Sequence, residues 1–374
     1  MGLESSEKIK AEIIIGKFAI EGKMDRAEPF GNGHINDTFH IVSAVASCPD
    51  YLLQRVNHEV FKDVPGMMNN IWQVTEHINK KNNSTNNLSE KQETLELIKT
   101  NEGDLYSKDE NGSFWRVFVF KKGLKSYDLV ETNDQAYEGA KAFGLFFKLL
   151  SDFPADSLTH TIPNFHNIIL RLQTLKECIQ KYPEGRTLEV KKEIKFVFDI
   201  ADKMCEIETL NNAGKIPLRV THNDTKFNNV LLSKEDKGIC VIDLDTVMPG
   251  VVHYDFGDGI RTGTTTAEED ELDLNLVQFD IYKYEAFAAG YLDSTRDILS
   301  AIEVQYLGIS GALFAYIMGV RFLTDYISHD VYYKIGYPTQ NINRARCQFE
   351  LTRKILSRLP ELNQIAQKNY GFTV

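Results

Sequence analysis

Three residues in this chain have types and spacing suited to chemistry: His222, Asp224 and Asn229, in the run T-H-N-D-T-K-F-N-N-V-L-L. Moving a phosphoryl group onto a hydroxyl needs a carboxylate that accepts and orients the hydroxyl proton. It also needs a neutral oxygen that helps hold a divalent cation beside the phosphates. A short loop carrying Asp224 and, five residues later, Asn229 offers both groups. Either residue alone reads as a turn residue satisfying nearby amides. The whole H-x-D-x-x-x-x-N spacing, flanked by β-type residues and followed within fifteen residues by an apolar run ending in aspartate, favours the chemical reading.

A second cation ligand belongs in residues 241–261, V-I-D-L-D-T-V-M-P-G-V-V-H-Y-D-F-G-D-G-I-R, which hold four aspartates. Asp255 opens a literal D-F-G, the metal-binding tripeptide of protein kinases. Strand logic points instead to Asp243. The apolar run G-I-C-V-I ends there, and the turn S-K-E-D-K-G after V-L-L has the length of a hairpin connection. No comparable strand precedes Asp255. Asp245, two residues on, is read as a ligand of a second metal, a partner of a substrate hydroxyl, or a turn-capping carboxylate. Asp255 and Asp258 are expected to organise the loop, by capping the next helix or pairing with Arg261.

These residues need elements to place them. Residues 38–56 read as two strands joined at S-C-P-D, preceded by the loop G-N-G-H-I-N-D. Gly31 and Gly33 permit a tight turn and close backbone approach to a phosphate or sugar. His34 then either points at substrate or packs beside the turn. On the second strand, Y-L-L-Q-R-V-N, Arg55 offers a fork for the α- and β-phosphates, with Glu76 on the next helix as a partner or a solvated residue. Further strands fit residues 95–106 and 114–120, and the second runs into a hinge where the backbone from Val119 to Lys121 meets adenine. Beyond this point the pattern is helical, at 136–150, at 188–212 and through 268–359. The expected fold is α+β and bilobal, like the protein kinases: a strand-rich nucleotide lobe over residues 1–122 and a larger, mainly helical catalytic lobe over 123–374.

The formal net charge of −11 argues against nucleic acid or an anionic membrane as main partner and favours small metabolites. Five cysteines without C-x-x-C spacing fit free thiols in a reducing cytoplasm. The first ten residues lack the apolar core of a signal peptide, and no apolar stretch suits a membrane span. The formal myristoylation match of M-G-L-E-S-S is too short a pattern to carry weight. A cytoplasmic monomer or small homo-oligomer is expected.

H-N-D-T-K-x-x-N-V-L-L, I-D-L-D-T-V-M-P-G and Y-D-F-G-D-G-I-R together resemble the aminoglycoside phosphotransferase and choline kinase superfamily. With G-N-G-H-I-N-D-T and R-F-L-T-D-Y-I-S-H-D-V-Y-Y, the chain looks most like the N-acetylhexosamine 1-kinases, which phosphorylate the anomeric hydroxyl of N-acetylglucosamine or N-acetylgalactosamine with ATP and Mg2+. The resemblance implies Asp224 as catalytic base and Asn229 and Asp243 as magnesium ligands. It implies His34 and Arg321 at the sugar site, with Tyr332 a weaker member. Without it, Arg321 reads as a helix residue paired with Asp325 and Tyr332 as a core aromatic. Q-R stands where many relatives carry one cation, so Gln54 and Arg55 both remain candidates for the phosphate contact. The alternatives are a kinase for choline, an aminoglycoside or homoserine, and a nucleotide-binding scaffold without catalysis.

Overall fold

A computed structural model of the protein describes residues 5–31 and 35–371. After helix α1 (Ser5–Ile15) comes an antiparallel sheet of β1 (Met24–Pro29), β2 (Asp37–Ser43), β3 (Tyr51–Val56), β4 (Leu97–Ile98), β5 (Ser107–Lys108) and β6 (Phe114–Val119). Its order is β1-β2-β3-β6-β4, with β5 also paired to β6. Helix α2 (Val64–Ser84) interrupts the strands; Asp63 caps it through the Gly66 N–H and Pro65 sits in its first turn.

Side-chain alternation splits the sheet into two faces. Tyr51, Leu53, Ile41, Trp115 and Val117 pack under α1 with Ala11, Ile14, Ile15 and Phe18. Leu52, Val56 and Phe118 turn the other way, onto α2 and the main core.

The rest is mostly helical: α3 (Asn133–Leu149), α4 (Ile168–Lys181), α5 (Arg186–Glu189), α6 (Lys191–Asp199), α7 (Ala201–Met204), α8 (Glu206–Asn212), α9 (Val252–Thr264), α10 (Ile281–Thr295), α11 (Ala301–Gln305), α12 (Leu307–Ile327), α13 (Gln340–Ser357) and α14 (Leu359–Tyr370). The architecture is thus the expected mixed one, a small antiparallel sheet region followed by a larger helical part. Helix α12 is long and apolar enough to cross a membrane but lies at the centre of the helical core, against α4, α9 and α13.

Between α8 and α9 lie two small ladders. β7 (Arg219–Thr221) pairs antiparallel with β10 (Met248–Gly250), and β8 (Val230–Leu232) with β9 (Gly238–Val241). They bracket the loops that carry Asp224 and Asp243. Gly250 is required at this crossing, because a Cβ there would meet Thr221 Oγ1 at 2.3 Å.

Several elements depart from expectation. The segment 188–212 is four short helices, not one, with breaks at Val190, Ile200 and Cys205. Residues 266–280 and 328–339 are loops inside a region patterned as helix; Asp270 accepts from Tyr337 Oη at 3.0 Å and Gln340 Nε2 at 2.8 Å, tying the two loops together. Of the strand expected over 95–106 only Leu97–Ile98 forms.

Candidate active site

The loop after β7 turns sharply at Asn223, whose φ of 63° is left-handed. Asparagine tolerates that conformation better than most residues. Its Nδ2 donates to the carbonyls of Thr221 (3.2 Å) and Thr246 (3.1 Å), fixing the turn against the neighbouring loop. Buried Asp255 on α9 accepts the N–H groups of His222 (2.8 Å) and Asn223 (2.7 Å). The D-F-G aspartate is therefore an anchor for the loop; its carboxylate is pushed up to about 6 by burial, which the two N–H groups oppose. Asp258 pairs with Arg261 at 2.8 Å.

His222 is fully buried. Its Nδ1 accepts the Asp224 N–H at 3.2 Å, which makes Nε2 the donor to the Ile242 carbonyl at 2.9 Å. One neutral imidazole thus joins the two functional loops. The β8/β9 register completes the joint, since Val230 faces Val241 and the Ile242 N–H donates to the Asn229 carbonyl at 2.9 Å. Asn229 is thereby bonded to the residue just before Asp243.

Asp224 is partly exposed to the cleft. Asn229 Nδ2 donates to its backbone oxygen (2.8 Å) and to Oδ2 (3.0 Å), and Lys226 Nζ lies 3.3 Å from Oδ2. Burial opposes ionisation of Asp224, but the Lys226 ammonium, with Arg261 further off, outweighs it and holds the carboxyl below the usual aspartate value. Lys226 is raised in turn, by Asp224 first and with smaller contributions from Asp243 and Asp258. The sequence reading missed it, although it stands two residues after Asp224 in the quoted motif.

Asp243 also takes a left-handed backbone, φ 60°, and its carboxylate caps nothing. It opens to the cleft floor, where surrounding protein, Asp245 and Asp224 push it up to about 7. Such a carboxylate, near an asparagine whose Nδ2 is already committed, would suit part of a magnesium site. Among the described residues no group of three His, Cys, Asp or Glu forms a cage that would hold a metal without them.

Asp245 is placed differently from any of its expected roles. It is buried, paired with Arg116 Nη1 of β6 at 2.5 Å, and accepts Asn36 Nδ2 at 2.7 Å. Asn36, in the loop before β2, also accepts the Asn57 N–H at 3.0 Å. Neither Asn36 nor Arg116 was singled out from the sequence. An arginine at an inward position of F-W-R-V-F-V-F was the available signal.

Gln54 and Arg55, the two candidates for the phosphate contact, stand on opposite faces of β3. Gln54 points into the cleft, accepting Arg116 Nε at 3.0 Å and donating to Thr38 Oγ1 at 3.0 Å. Arg55, expected at the phosphates, is exposed on the opposite face and paired with Asp37, because Tyr51 and Leu53 claim that parity for the α1 side. Glu76 is exposed and makes no ion pair among the described residues. At the hinge the Val119 N–H is spent on Glu96 and that of Phe120 on Asp50, while the Lys121 side chain pairs with Glu93 at 3.0 Å. Gly31 is exposed with φ 75°; Gly33 and His34 lie outside the described residues.

On the far side of Asp224, buried His166 donates from Nε2 to the Asn223 carbonyl (2.9 Å), and burial holds it neutral, its value down to about 3. Beside it the guanidinium of Arg321 lies over the rings of Phe165 (5.0 Å) and Tyr333 (5.6 Å). Arg321 does not pair with Asp325, which instead accepts the N–H groups of Tyr332 and Tyr333. Tyr332 is 61% exposed at the rim, so the ring in contact with Arg321 is its neighbour.

Two loops thus bring the carboxylates of Asp224 and Asp243 together beside an antiparallel sheet and a helical wall. Residues 26–291 match the phosphotransferase enzyme family, and the chain belongs to it. The fold is similar to that of an aminopropanol kinase associated with a microcompartment (15% identity, TM-score 0.65, 94% of this chain and 98% of that one). It is likewise similar to an aminoglycoside phosphotransferase from Alicyclobacillus acidocaldarius subsp. acidocaldarius (12%, 0.62, 95% and 96%). A third similar structure is an amicoumacin kinase in complex with AMP-PNP, Ca2+ and Ami (11%, 0.58, 91% and 91%). The chemistry of the family is phosphoryl transfer.

Proposed function

We propose that the protein is an ATP- and magnesium-dependent sugar kinase that phosphorylates the anomeric hydroxyl of an N-acetylhexosamine. The observation carrying this reading is the placement of Asp224 between two groups of side chains: Asn229, Lys226 and Asp243 on one side, and His166, Phe165, Tyr333 and Arg321 on the other.

Asp224 accepts and orients the acceptor proton, and its ionised state is secured by Lys226. Lys226 faces the charge that develops on the transferring group. Gln54 lines the phosphate side, and the hinge backbone near Lys121 faces adenine. Asn229 and Asp243 would hold magnesium, which would supply positive charge against the phosphates. Arg321, flat on Phe165, presents donors for a sugar hydroxyl or an acetamido carbonyl. That stacked cation also speaks against choline, whose quaternary ammonium needs aromatic faces free of positive charge.

The test is ADP release with N-acetylglucosamine, N-acetylgalactosamine, glucose, choline, homoserine and kanamycin, with Asp224→Asn as control. Turnover confined to the N-acetylhexosamines and lost in the control is expected; turnover only with choline or kanamycin sinks the sugar reading and leaves the phosphotransferase chemistry intact.

A further inference from the structure

Two arginines of the acceptor wall, Arg171 and Arg321, have no carboxylate paired with them among the described residues. Arg171 of α4 donates Nη2 to the Phe165 carbonyl at 2.7 Å, while its buried Nε has no partner. Arg321, whose nearest acceptor is Met318 Sδ at 3.5 Å, stands close enough to depress Arg171 further after burial has already done so. Neither arginine makes an ion pair among the described residues. The neighbouring acids are already committed: Asp325 to Tyr332, Tyr333 and Asn341, Glu269 to Arg261 and Arg344, and Asp224 to Lys226 and Asn229.

Two more buried polar atoms in this wall lack partners, Tyr333 Oη and His166 Nδ1. A native protein leaves few such atoms, and an arginine pair in a partly dry wall is costly without a counter-charge. A neutral carbonyl supplies an acceptor but no charge. A carboxylate supplies both and matches the planar fork of a guanidinium.

We propose that Arg171 and Arg321 form an anion subsite, and that the acceptor is a hydroxyl compound bearing a carboxylate. Under the N-acetylhexosamine reading, on which this sugar assignment rests, it is a hexosamine with an acidic substituent.

The experiment compares kcat/KM for N-acetylmuramic acid and N-acetylglucosamine, which differ by a carboxylate-bearing ether, in the wild type and in Arg171→Gln, Arg321→Gln and Arg171→Lys. Homoserine is the non-sugar acid. The acidic sugar is expected to be preferred by about tenfold or more, the scale of one charge-assisted contact. Each glutamine variant collapses that ratio towards one, and Arg171→Lys restores part of it. A ratio of one in the wild type, or a ratio that survives both glutamine variants, overturns the subsite. Turnover of neutral N-acetylhexosamines alone removes the subsite and keeps the sugar-kinase reading. Turnover of homoserine alone, dependent on both arginines, keeps the subsite and removes the sugar. If no acceptor turns over, calorimetric titration of N-acetylmuramic acid and homoserine onto the enzyme with AMP-PNP decides: arginine-dependent binding supports the subsite and absence of binding ends it. Should a glutamine variant melt early, inhibition of the wild type by acetate, competitive against acceptor and not ATP, is the supporting result, and no inhibition is the overturning one.

Discussion

Arg116 on β6 and Asp245 in the loop after β9 form a buried ion pair with Nη1 and Oδ1 2.5 Å apart, although 129 residues separate them. Both side chains are almost wholly excluded from water, at 2% and 3% exposure. Removing one partner leaves a buried charge uncompensated. Arg116→Met is expected to cost about 3 kcal/mol or more in chemical denaturation, and Arg116→Met with Asp245→Leu to recover much of it. A single-variant loss below about 1 kcal/mol would mean that water reaches Asp245 from the cleft.

The three aspartates separate by readout. Asp224→Asn is expected to lower kcat by about a hundredfold to ten-thousandfold with ATP binding kept. Asp243→Asn should instead weaken magnesium-dependent nucleotide binding, measured by calorimetry with and without the metal. Asp255→Leu strands two loop N–H groups and should cost about 2 kcal/mol or more of stability. If Asp255→Leu lost metal binding at unchanged stability, the assignment of Asp243 would be wrong.

Lys226 sets where the acid limb of activity falls. It helps hold the Asp224 carboxyl below its ordinary value, so the base stays ionised as the pH drops. In Lys226→Met that carboxyl titrates higher, and the acid limb of kcat/KM should move to higher pH along with a fall in kcat. An unmoved limb would show that another group titrates there.

Asp109 links α1 to the sheet. It receives Lys10 Nζ at 2.8 Å, Trp115 Nε1 at 3.0 Å and the N–H groups of Asn111 and Ser113. Burial opposes its ionisation, yet these partners hold it far below the normal range. A depressed carboxyl stabilises the fold above its unfolded value, near 3.9, and that contribution is lost as pH falls further. Denaturation measured from pH 6 to pH 2 should therefore show a steep acid loss, shallower in Asp109→Asn.

What was legible in the sequence was local. The H-x-D-x-x-x-x-N loop and the hairpin ending at Asp243 announce themselves through spacing and β-branched flanks within a few residues. The face of Gln54 and Arg55 was not readable, because the parity of β3 depends on α1 covering Tyr51 and Leu53. β1 gives no alternating signal, since in M-D-R-A-E-P only Ala27 is buried. Residues 188–212 carry a helical period, and no glycine or proline marks the breaks at Val190, Ile200 and Cys205. Asn36 and Arg116 matter through a partner more than a hundred residues away, which no local window contains.

The attachment of the catalytic loop to Asp255 bears on how the enzyme should fail when heated. Active-site loops commonly loosen well before their scaffold. Here the loop is tethered to α9, buried at every residue but Thr262 and packed along α12 at the centre of the helical core. Warming should therefore not release this loop ahead of the helical core, so residual activity after a heat pulse should track the fraction still folded, degree for degree.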